Sequence, residues 1–247
     1  MALKTEQRGG ALILTIDRPD AGNALNSEVG RGLVGALSSA ADDPAVRSII
    51  VTGAGERVFC AGMDLKAFAA GEDMTLVGEG LAILSACPKP IIAAVNGTAV
   101  AGGFEVVLRA DLVVAADHAK FGIPEVKRGL VAAGGGTRLP RRIPLQVALE
   151  LGLTGDTISA TRALELGLVN RVVPAAAVME TALALAAAIN ANGPLAVQAT
   201  KRLMREELGD DRDDHVRAVV APVFASEDAR EGATAFAEKR TPRWKGR

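Results

Sequence analysis

Two glutamates in glycine-rich, apolar surroundings constrain the fold of this chain more than any other sequence feature. Glu105 follows Gly102-Gly103 in the segment VNGTAVAGGFE, and Glu125 ends the segment FGIPE, 20 residues further on. That interval accommodates a short helix from Gly103, a strand over residues 112–116 and a turn. Such a crossover can return both carboxylates to one place in the molecule.

A pair of carboxylates at one site can hold a water molecule and divide acid and base duties between them. The alternative is two solvated glutamates on unrelated loops. Glu105 and Glu125 both stand among apolar residues and glycines, where an unpaired charge is expensive to bury. The pattern therefore favours a catalytic pair.

The glycine pair before Glu105 predicts a site for a developing negative charge. Gly102 and Gly103 let a ligand approach the backbone closely, and a helix that begins there points its free N–H groups and positive dipole end at the ligand. This suits an oxyanion such as the enolate formed when a carbonyl compound is attacked at its β-carbon. A second donor is needed, and the segment FCAGMDL at residues 59–65 can supply it after the strand-like run at 46–53.

Local patterns predict an alternation of strands and helices in the first part of the chain, followed by a mostly helical remainder from about residue 137. Strand-helix alternation alone would suggest a doubly wound sheet. The predicted strands are residues 11–17, 47–52, 91–96, 112–115 and 171–173, and the predicted helices are residues 27–41, 73–85, 103–110 and 175–189.

Composition excludes several classes of protein. The 247 residues carry 28 Lys and Arg against 29 Asp and Glu, so there is no basic surplus for nucleic acid. Cys60 and Cys87 give no disulfide framework, and Cys60 is expected to be a buried structural thiol. His118 and His215 are too few and too scattered for a zinc site, and His118 is expected at the surface. We expect no metal and no separate cofactor.

No targeting or membrane segment is predicted. The first eight residues, MALKTEQR, lack the apolar core of a signal peptide, and their acidic residue argues against a transit peptide. The longest apolar stretch, residues 175–189, is interrupted by Glu180 and Thr181 and is too short to span a bilayer. We therefore expect a cytoplasmic protein with no membrane and no nucleic-acid partner.

Motifs spread along nearly the whole chain accompany the two glutamate segments. They are LTIDRP at 14–19, NALN at 23–26, FCAGMDL at 59–65, KPIIAAVNG at 89–97, GGGTRL at 134–139, LTG at 153–155, ALELGLV at 163–169, EDAREG at 227–232 and AFAEKR at 235–240. In these motifs the sequence resembles the crotonase (enoyl-CoA hydratase/isomerase) superfamily. The resemblance implies an α/β fold, the crotonase-type spiral of ββα repeats with a helical C-terminal region. It further implies a core with the CoA groove and active site at residues 1–192 and a helical assembly region at 193–247.

The resemblance also implies roles for individual residues. Family members that hydrate enoyl-CoA carry glutamate at both matching positions, so Glu105 and Glu125 are assigned to the catalytic water and the N–H groups of Met63 and Gly102 to the oxyanion hole. The positions implied to contact coenzyme A or the acyl group are Arg18, Ala21, Ala61, Asp64, Leu65, Ala133, Phe236 and Lys239. Coenzyme A is part of the substrate, an acyl-CoA thioester, and no cofactor is implied.

Three positions depart from the family pattern. Ala101 replaces the first glycine of the usual triplet, which should be tolerated because the other two glycines remain. Asp20 stands where a lysine is common, which weakens the case for a phosphate contact there. Ala132-Ala133 replaces a frequent Pro-Gly, and alanine keeps the N–H group that helps to position the water but not the freedom of glycine at positive φ.

The resemblance implies a hydro-lyase that adds water to a trans-2-enoyl-CoA to give a 3-hydroxyacyl-CoA, assembled as a homotrimer or homohexamer. Two alternatives stay open. One is another crotonase-type reaction, such as double-bond isomerisation or dehydration of a specialised acyl-CoA. The other is a non-catalytic paralogue that binds acyl-CoA or RNA, which the balanced charge and the retained glutamate pair both disfavour. The acyl pocket is expected within residues 66–86.

Overall fold

The computed structural model describes residues 1–205, 222, 225–228, 231, 235, 238 and 240–247, so Phe236 and Lys239 lie outside the described residues. The strands are β1 (Leu3–Arg8), β2 (Ala11–Ile16), β3 (Ser48–Gly53), β4 (Val58–Cys60), β5 (Ile91–Val95), β6 (Thr98–Val100), β7 (Leu112–Ala116), β8 (Lys120–Gly122), β9 (Thr157–Ser159) and β10 (Arg171–Val173). The helices are α1 (Ser27–Asp42), α2 (Leu65–Ala69), α3 (Thr75–Ala86), α4 (Gly102–Arg109), α5 (Leu145–Thr154), α6 (Ala160–Glu165), α7 (Val178–Asn190) and α8 (Pro194–Arg205).

The strands form two sheets. The larger sheet has the order β1-β2-β3-β5-β7-β10, in which β1 and β2 are an antiparallel hairpin and the other neighbours run parallel. The smaller sheet has the order β4-β6-β8-β9, in which β4, β6 and β8 run parallel and β9 is antiparallel. From β3 to β8, successive strands therefore alternate between two sheets instead of following one another in a single sheet.

This alternation produces the spiral of ββα repeats. The chain passes from β3 to β4 and then through α2 and α3, from β5 to β6 and then through α4, and from β7 to β8 and then through the short 3-10 segment Pro124–Arg128. Each repeat adds one strand to the larger sheet and one to the smaller sheet. The spiral predicted by the resemblance is confirmed, and the doubly wound sheet that alternation alone would suggest is wrong.

The core is built around the parallel strands of the larger sheet. Every residue of β3 (SIIVTG) and β5 (IIAAV) is buried. Helix α7 packs against β2, β3, β5 and β7. Strands covered on both faces are apolar throughout, which explains why these runs do not alternate with polar residues. The predicted strands and helices are confirmed with small shifts at their ends, but β1, β4, β6, β8 and β9 were not predicted.

Polar contacts fix two of the helices at their ends. The N-cap of α1 is Asn26, whose Oδ1 accepts a hydrogen bond from the Val29 N–H at 3.1 Å. At the other end of the chain, two salt bridges anchor α8 to the core. Lys201 Nζ lies 2.8 Å and Arg205 Nε 2.6 Å from the carboxylate of Asp111. The division at residues 192 and 193 stays a prediction.

Across the described ranges, no single helix is both long and apolar enough to cross a bilayer. The stretches Ala175–Asn190 and Pro194–Arg205 reach the required length and composition only as a pair, and they are bent by 108° relative to each other.

The crossing of α1 and α3 gives a stability prediction. A Cβ on Gly30 would lie 2.5 Å from the carbonyl carbon of Leu76 and 2.6 Å from the nitrogen of Val77, so alanine must push the helices apart. We expect Gly30→Ala to lower the free energy of unfolding by about 2 kcal/mol, the scale of overpacking, although alanine is the better helix former. Urea denaturation measures the change.

The matched control is Gly35→Ala on the same helix, where nothing lies within 4 Å of the added Cβ. Here only the helix propensity changes, and we expect the free energy of unfolding to rise by up to about 1 kcal/mol. Equal effects of the two substitutions would contradict the close packing of α1 on α3.

Candidate active site

Three segments meet at one edge of the smaller sheet. The loop containing Met63 follows β4, α4 with Glu105 follows β6, and the 3-10 segment containing Glu125 follows β8. Because β4, β6 and β8 are adjacent and parallel, their carboxyl ends lie side by side. Ligands in open α/β sheets bind at this edge of the strands. The structure therefore brings together the four residues assigned to the water and the oxyanion hole.

The backbone N–H groups of Met63 and Gly102 are neighbours. A Cβ built on Gly102 would lie 3.5 Å from the Met63 nitrogen, and one built on Gly62 would lie 2.9 Å from the Gly102 nitrogen. Pairing between Leu25 and Met63 fixes the loop, with Leu25 N–H donating to Gly62 O at 2.7 Å. Over the residues that the structure describes, neither the Met63 nor the Gly102 N–H donates to another protein group. Both donors are available to a ligand.

The start of α4 is held in an unusual conformation. Ala101 has φ +51° and ψ −130°, a region that residues with a Cβ rarely occupy. The Ala101 N–H donates to Gly122 O at 3.0 Å. The Ala101 Cβ packs against Gly62, where an added Cβ would lie 2.7 Å from it. Backbone strain of this kind costs on the order of 1–3 kcal/mol and persists where the surroundings enforce it. Alanine is accommodated at the first position of the triplet, as expected, but in a strained backbone.

Glu105 is a buried carboxylate with a defined partner. Only 4% of its surface is exposed, and its Oε1 accepts a hydrogen bond from the Gly136 N–H at 2.8 Å. The preceding residue, Phe104, packs against Phe121 of β8 with ring centroids 5.5 Å apart. This aromatic contact fixes α4 against the strand that leads to Glu125.

Glu125 is half-buried and lies within electrostatic range of Glu105. Its Oε2 is buried and has no hydrogen-bond partner among the described residues. The pKa of Glu125 is raised above its ordinary value, mainly by burial and also by the charge of Glu105. The two carboxylates thus differ: Glu105 accepts a hydrogen bond from a backbone N–H, whereas the pKa of Glu125 is raised.

The residues assigned to the CoA groove surround the Met63 loop, but two of them contact each other. Arg18 donates to the Ala24 carbonyl at 2.7 Å and to Asp64 Oδ2 at 2.9 Å. Asp64 also caps α2, and the N–H of Ala67, followed by the Arg18 guanidinium, lowers the pKa of the Asp64 carboxyl. This pair therefore holds the loop that carries Met63.

The other candidates for this groove differ in exposure and in the use of their N–H groups. Ala21, Ala61 and Leu65 are exposed near the same loop, and Ala61 N–H donates to Gly22 O at 3.0 Å. Ala133 is exposed, but its N–H donates to Val131 O at 2.7 Å and is already used.

Other chemistry is not supported at this site. Burial raises the pKa of the Cys60 thiol to about 12, which makes it a structural rather than a nucleophilic group. His118 is at the surface, with Nε2 2.9 Å from Glu56 O. In the described ranges no three His, Cys, Asp or Glu side chains are placed to hold a metal ion.

Sequence reasoning missed the residues that support Glu105. Gly134 and Gly136 lie against its carboxylate, and Arg109 contacts this glycine loop from one turn further along α4. The run of three glycines is visible in the sequence, but the sequence marks it only as part of a family motif. Arg109 carried no signal, because its contact with Gly134 joins residues 25 positions apart.

The chain is similar to known proteins along nearly its whole length. The family described as Enoyl-CoA hydratase/isomerase matches residues 6–247. The carnitinyl-CoA dehydratase of Proteus mirabilis is 43% identical over 259 residues, covering 100% of this chain and 99% of that protein. An enoyl-CoA hydratase of Mycobacterium tuberculosis is 44% identical over 261 residues, covering 98% of this chain and 96% of that protein. A crystal structure of enoyl-CoA hydratase from Mycobacterium tuberculosis H37Rv has a TM-score of 0.95 and 52% identity, covering 100% of this chain and 99% of that one.

The whole-chain match and these identities define the class. The chain belongs to the enoyl-CoA hydratase/isomerase family, also called the crotonase family, and has the crotonase fold.

The raised pKa of Glu125 predicts how stability changes with pH. A carboxyl whose folded-state pKa is raised contributes most below its ordinary value of about 4.5, and that contribution is lost as the pH rises through the folded-state value. Glu125→Gln removes this ionisation. We expect the variant to melt at a higher temperature than the wild type at pH 7, with the difference shrinking towards pH 4. A difference independent of pH would contradict the assignment.

Proposed function

We propose that this protein is an enoyl-CoA hydratase, a hydro-lyase that adds water to a trans-2-enoyl-CoA to give the 3-hydroxyacyl-CoA. The observation that carries the proposal is the juxtaposition of two carboxylates, Glu105 and Glu125, with two free N–H groups, those of Met63 and Gly102. Hydration needs both the carboxylate pair and the pair of N–H groups. The carboxylates transfer protons, and the N–H groups stabilise the thioester enolate.

The environments of the carboxylates support separate roles. Glu105 is buried and accepts a hydrogen bond from Gly136 N–H, and we assign it to take a proton from water. Glu125, with its raised pKa, is suited to give a proton to C2. The water oxygen bonds to C3, one water proton goes to Glu105, and the proton of Glu125 completes the C2–H bond. The sum is addition of one water molecule, and proton exchange with solvent restores the starting state.

Charge develops on the thioester oxygen during this addition, and the two N–H groups are placed to receive it. Met63 and Gly102 donate from a loop and from the first turn of α4, so the positive end of the helix dipole adds to the hydrogen bonds. Removal of one oxyanion donor typically costs about 3 kcal/mol in the transition state. We propose that the CoA moiety lies along Arg18, Ala21, Ala61, Asp64, Leu65 and Ala133, with Phe236 and Lys239 reaching it from the C-terminal region.

A second candidate reaction is dehydration of a specialised 3-hydroxyacyl-CoA. The observation that favours it is the 43% identity to a protein named carnitinyl-CoA dehydratase. Dehydration reverses hydration and uses the same four groups, so the difference is one of acyl substrate. Short, long, branched and charged enoyl-CoAs, compared by kcat/KM, separate the two candidates.

Kinetics of glutamine variants test the catalytic pair. We expect Glu105→Gln and Glu125→Gln each to lower kcat by about 100-fold or more, the scale of acid–base contributions, with KM for the enoyl-CoA changing far less. The losses should be strongly non-additive in the double variant because the groups act as a unit. Loss of the conjugated thioester absorbance measures the rate. A double variant that hydrates at close to the wild-type rate would rule the mechanism out.

We also propose that the protein forms a homotrimer or homohexamer. Helix α5 presents leucines at four-residue intervals, Leu145, Leu149 and Leu153, with 50%, 46% and 73% of their surfaces exposed. A continuous apolar stripe of this kind on a soluble domain marks an interaction surface.

Light scattering after size-exclusion chromatography tests the assembly. We expect three or six chains for the wild type and smaller species for Leu149→Lys, because a buried lysine would lose its hydration. Glu150→Lys places the same side chain at the adjacent exposed position and should leave the assembly intact. A monomeric wild type would contradict the proposal.

A further inference from the structure

The carboxylate of Glu105 is held by a loop and not by its own helix. Gly136 N–H donates to Oε1 at 2.8 Å, and a Cβ on Gly134 would lie 2.2 Å from Oε2. The three consecutive glycines at 134–136 thus bring the backbone into direct contact with both carboxylate oxygens. The position of Glu105 depends on how firmly this loop is held.

Glycine is the residue with the most conformational freedom, so a run of three has little intrinsic order. Gly135 has φ +146°, a conformation that other residues avoid. At the start of the loop, the Gly134 carbonyl accepts a hydrogen bond from the side chain of Arg109 on α4. The loop therefore gains order from a contact outside itself.

Arg109 lies four residues after Glu105, on the same face of α4. Its Nη1 donates to the Glu105 carbonyl at 2.9 Å, and its Nη2 donates to the Gly134 carbonyl. The guanidinium also lies against Gly135, because a Cβ there would come within 2.9 Å of Nη1. One planar group thus joins the backbone of the catalytic glutamate to the loop that receives its carboxylate.

We propose that Arg109 is a positioning residue for hydration, which keeps Glu105 oriented by clamping the Gly134–Gly136 loop to α4. The inference rests on the proposed function and adds a residue that does not touch the reacting atoms. Arginine suits this task because its rigid fork can reach two carbonyls at once, whereas lysine is a flexible single-point donor. Loss of the clamp frees the loop, and Glu105 then samples orientations in which its oxygens no longer face the water.

Arg109→Met is the primary test, with Arg109→Lys as the conservative variant. Because a misplacement of about 1 Å can cost about 100-fold in rate, we expect Arg109→Met to lower kcat about 10- to 100-fold, with KM for the enoyl-CoA within about twofold. Arg109→Lys should recover part of the loss. Amide hydrogen exchange of the full-length protein should accelerate in residues 131–141 and stay unchanged in the larger sheet.

The matched control is Arg142→Met. Arg142 reaches the same helix, with Nη1 donating to the Leu108 carbonyl at 3.2 Å, but none of its described bonds goes to the glycine loop. We expect kcat within about threefold of the wild type and unchanged exchange of the loop, since catalytic geometry is retained. An equal loss of kcat in Arg109→Met and Arg142→Met would show a general effect on α4 and overturn the proposal.

A second variant tests the loop without removing the arginine. Gly134→Ala directs a Cβ at the Glu105 carboxylate, which is the movable end of a side chain, so the fold should persist while kcat falls. Retention of full activity in Arg109→Met, or loss of activity without faster exchange of the loop, would overturn the clamp. If the wild type hydrates no enoyl-CoA, the proposed function fails on its own, and the exchange measurement still decides whether Arg109 orders the loop.

Discussion

The close contact between the start of α4 and the end of β4 is the constraint on which the site depends. A Cβ on Gly103 would lie 2.0 Å from the carbonyl oxygen of Cys60, so only glycine lets the two backbones touch. This contact places the first free N–H of α4 next to that of Met63, in the loop that follows β4. It also encloses Cys60, whose thiol is fully buried and has a raised pKa. Strained Ala101 and buried Phe104 lie immediately before and after the glycine pair.

Electrostatics explain how two acidic side chains coexist beside this contact. An unpaired buried charge is costly, and two carboxylates near each other resist double ionisation. The chain reduces this cost by donating the Gly136 N–H to Glu105 and by leaving Glu125 partly exposed with a raised pKa. Nearby, Asp64 is neutralised by Arg18. The two carboxylates thus stand in different environments, one bonded to a backbone N–H and the other with a raised pKa, as a division of acid and base duties requires.

Much of the fold could be predicted from the sequence, and the parts that could not share a physical reason. The long apolar strands such as β3 and β5 were predicted because a strand buried on both faces is apolar along its whole length. Strands β4, β6 and β8 have three residues each, too few for any periodicity to show. Yet these three set the spiral, so the resemblance was needed to predict it.

The same division holds for the site. Glu105 and Glu125 stood out because glycines and apolar residues surround them, whereas the resemblance was needed to single out the N–H groups of Met63 and Gly102. The structure brings the segments of these four residues together, and their roles stay predictions. The roles of Gly134 and Arg109 could not, because their contacts join distant parts of the chain. The pairing of Arg18 with Asp64 is of the same kind, since it joins residues 46 positions apart.

The most direct test of the account is hydration in water enriched in oxygen-18. The protein, supplied with a trans-2-enoyl-CoA, should yield a 3-hydroxyacyl-CoA that carries one heavy oxygen at C3 by mass spectrometry, and Glu105→Gln with Glu125→Gln should abolish the incorporation. An unlabelled product with a displaced double bond, or unchanged substrate across a panel of acyl groups, would contradict the claim that the paired glutamates deliver water to the substrate.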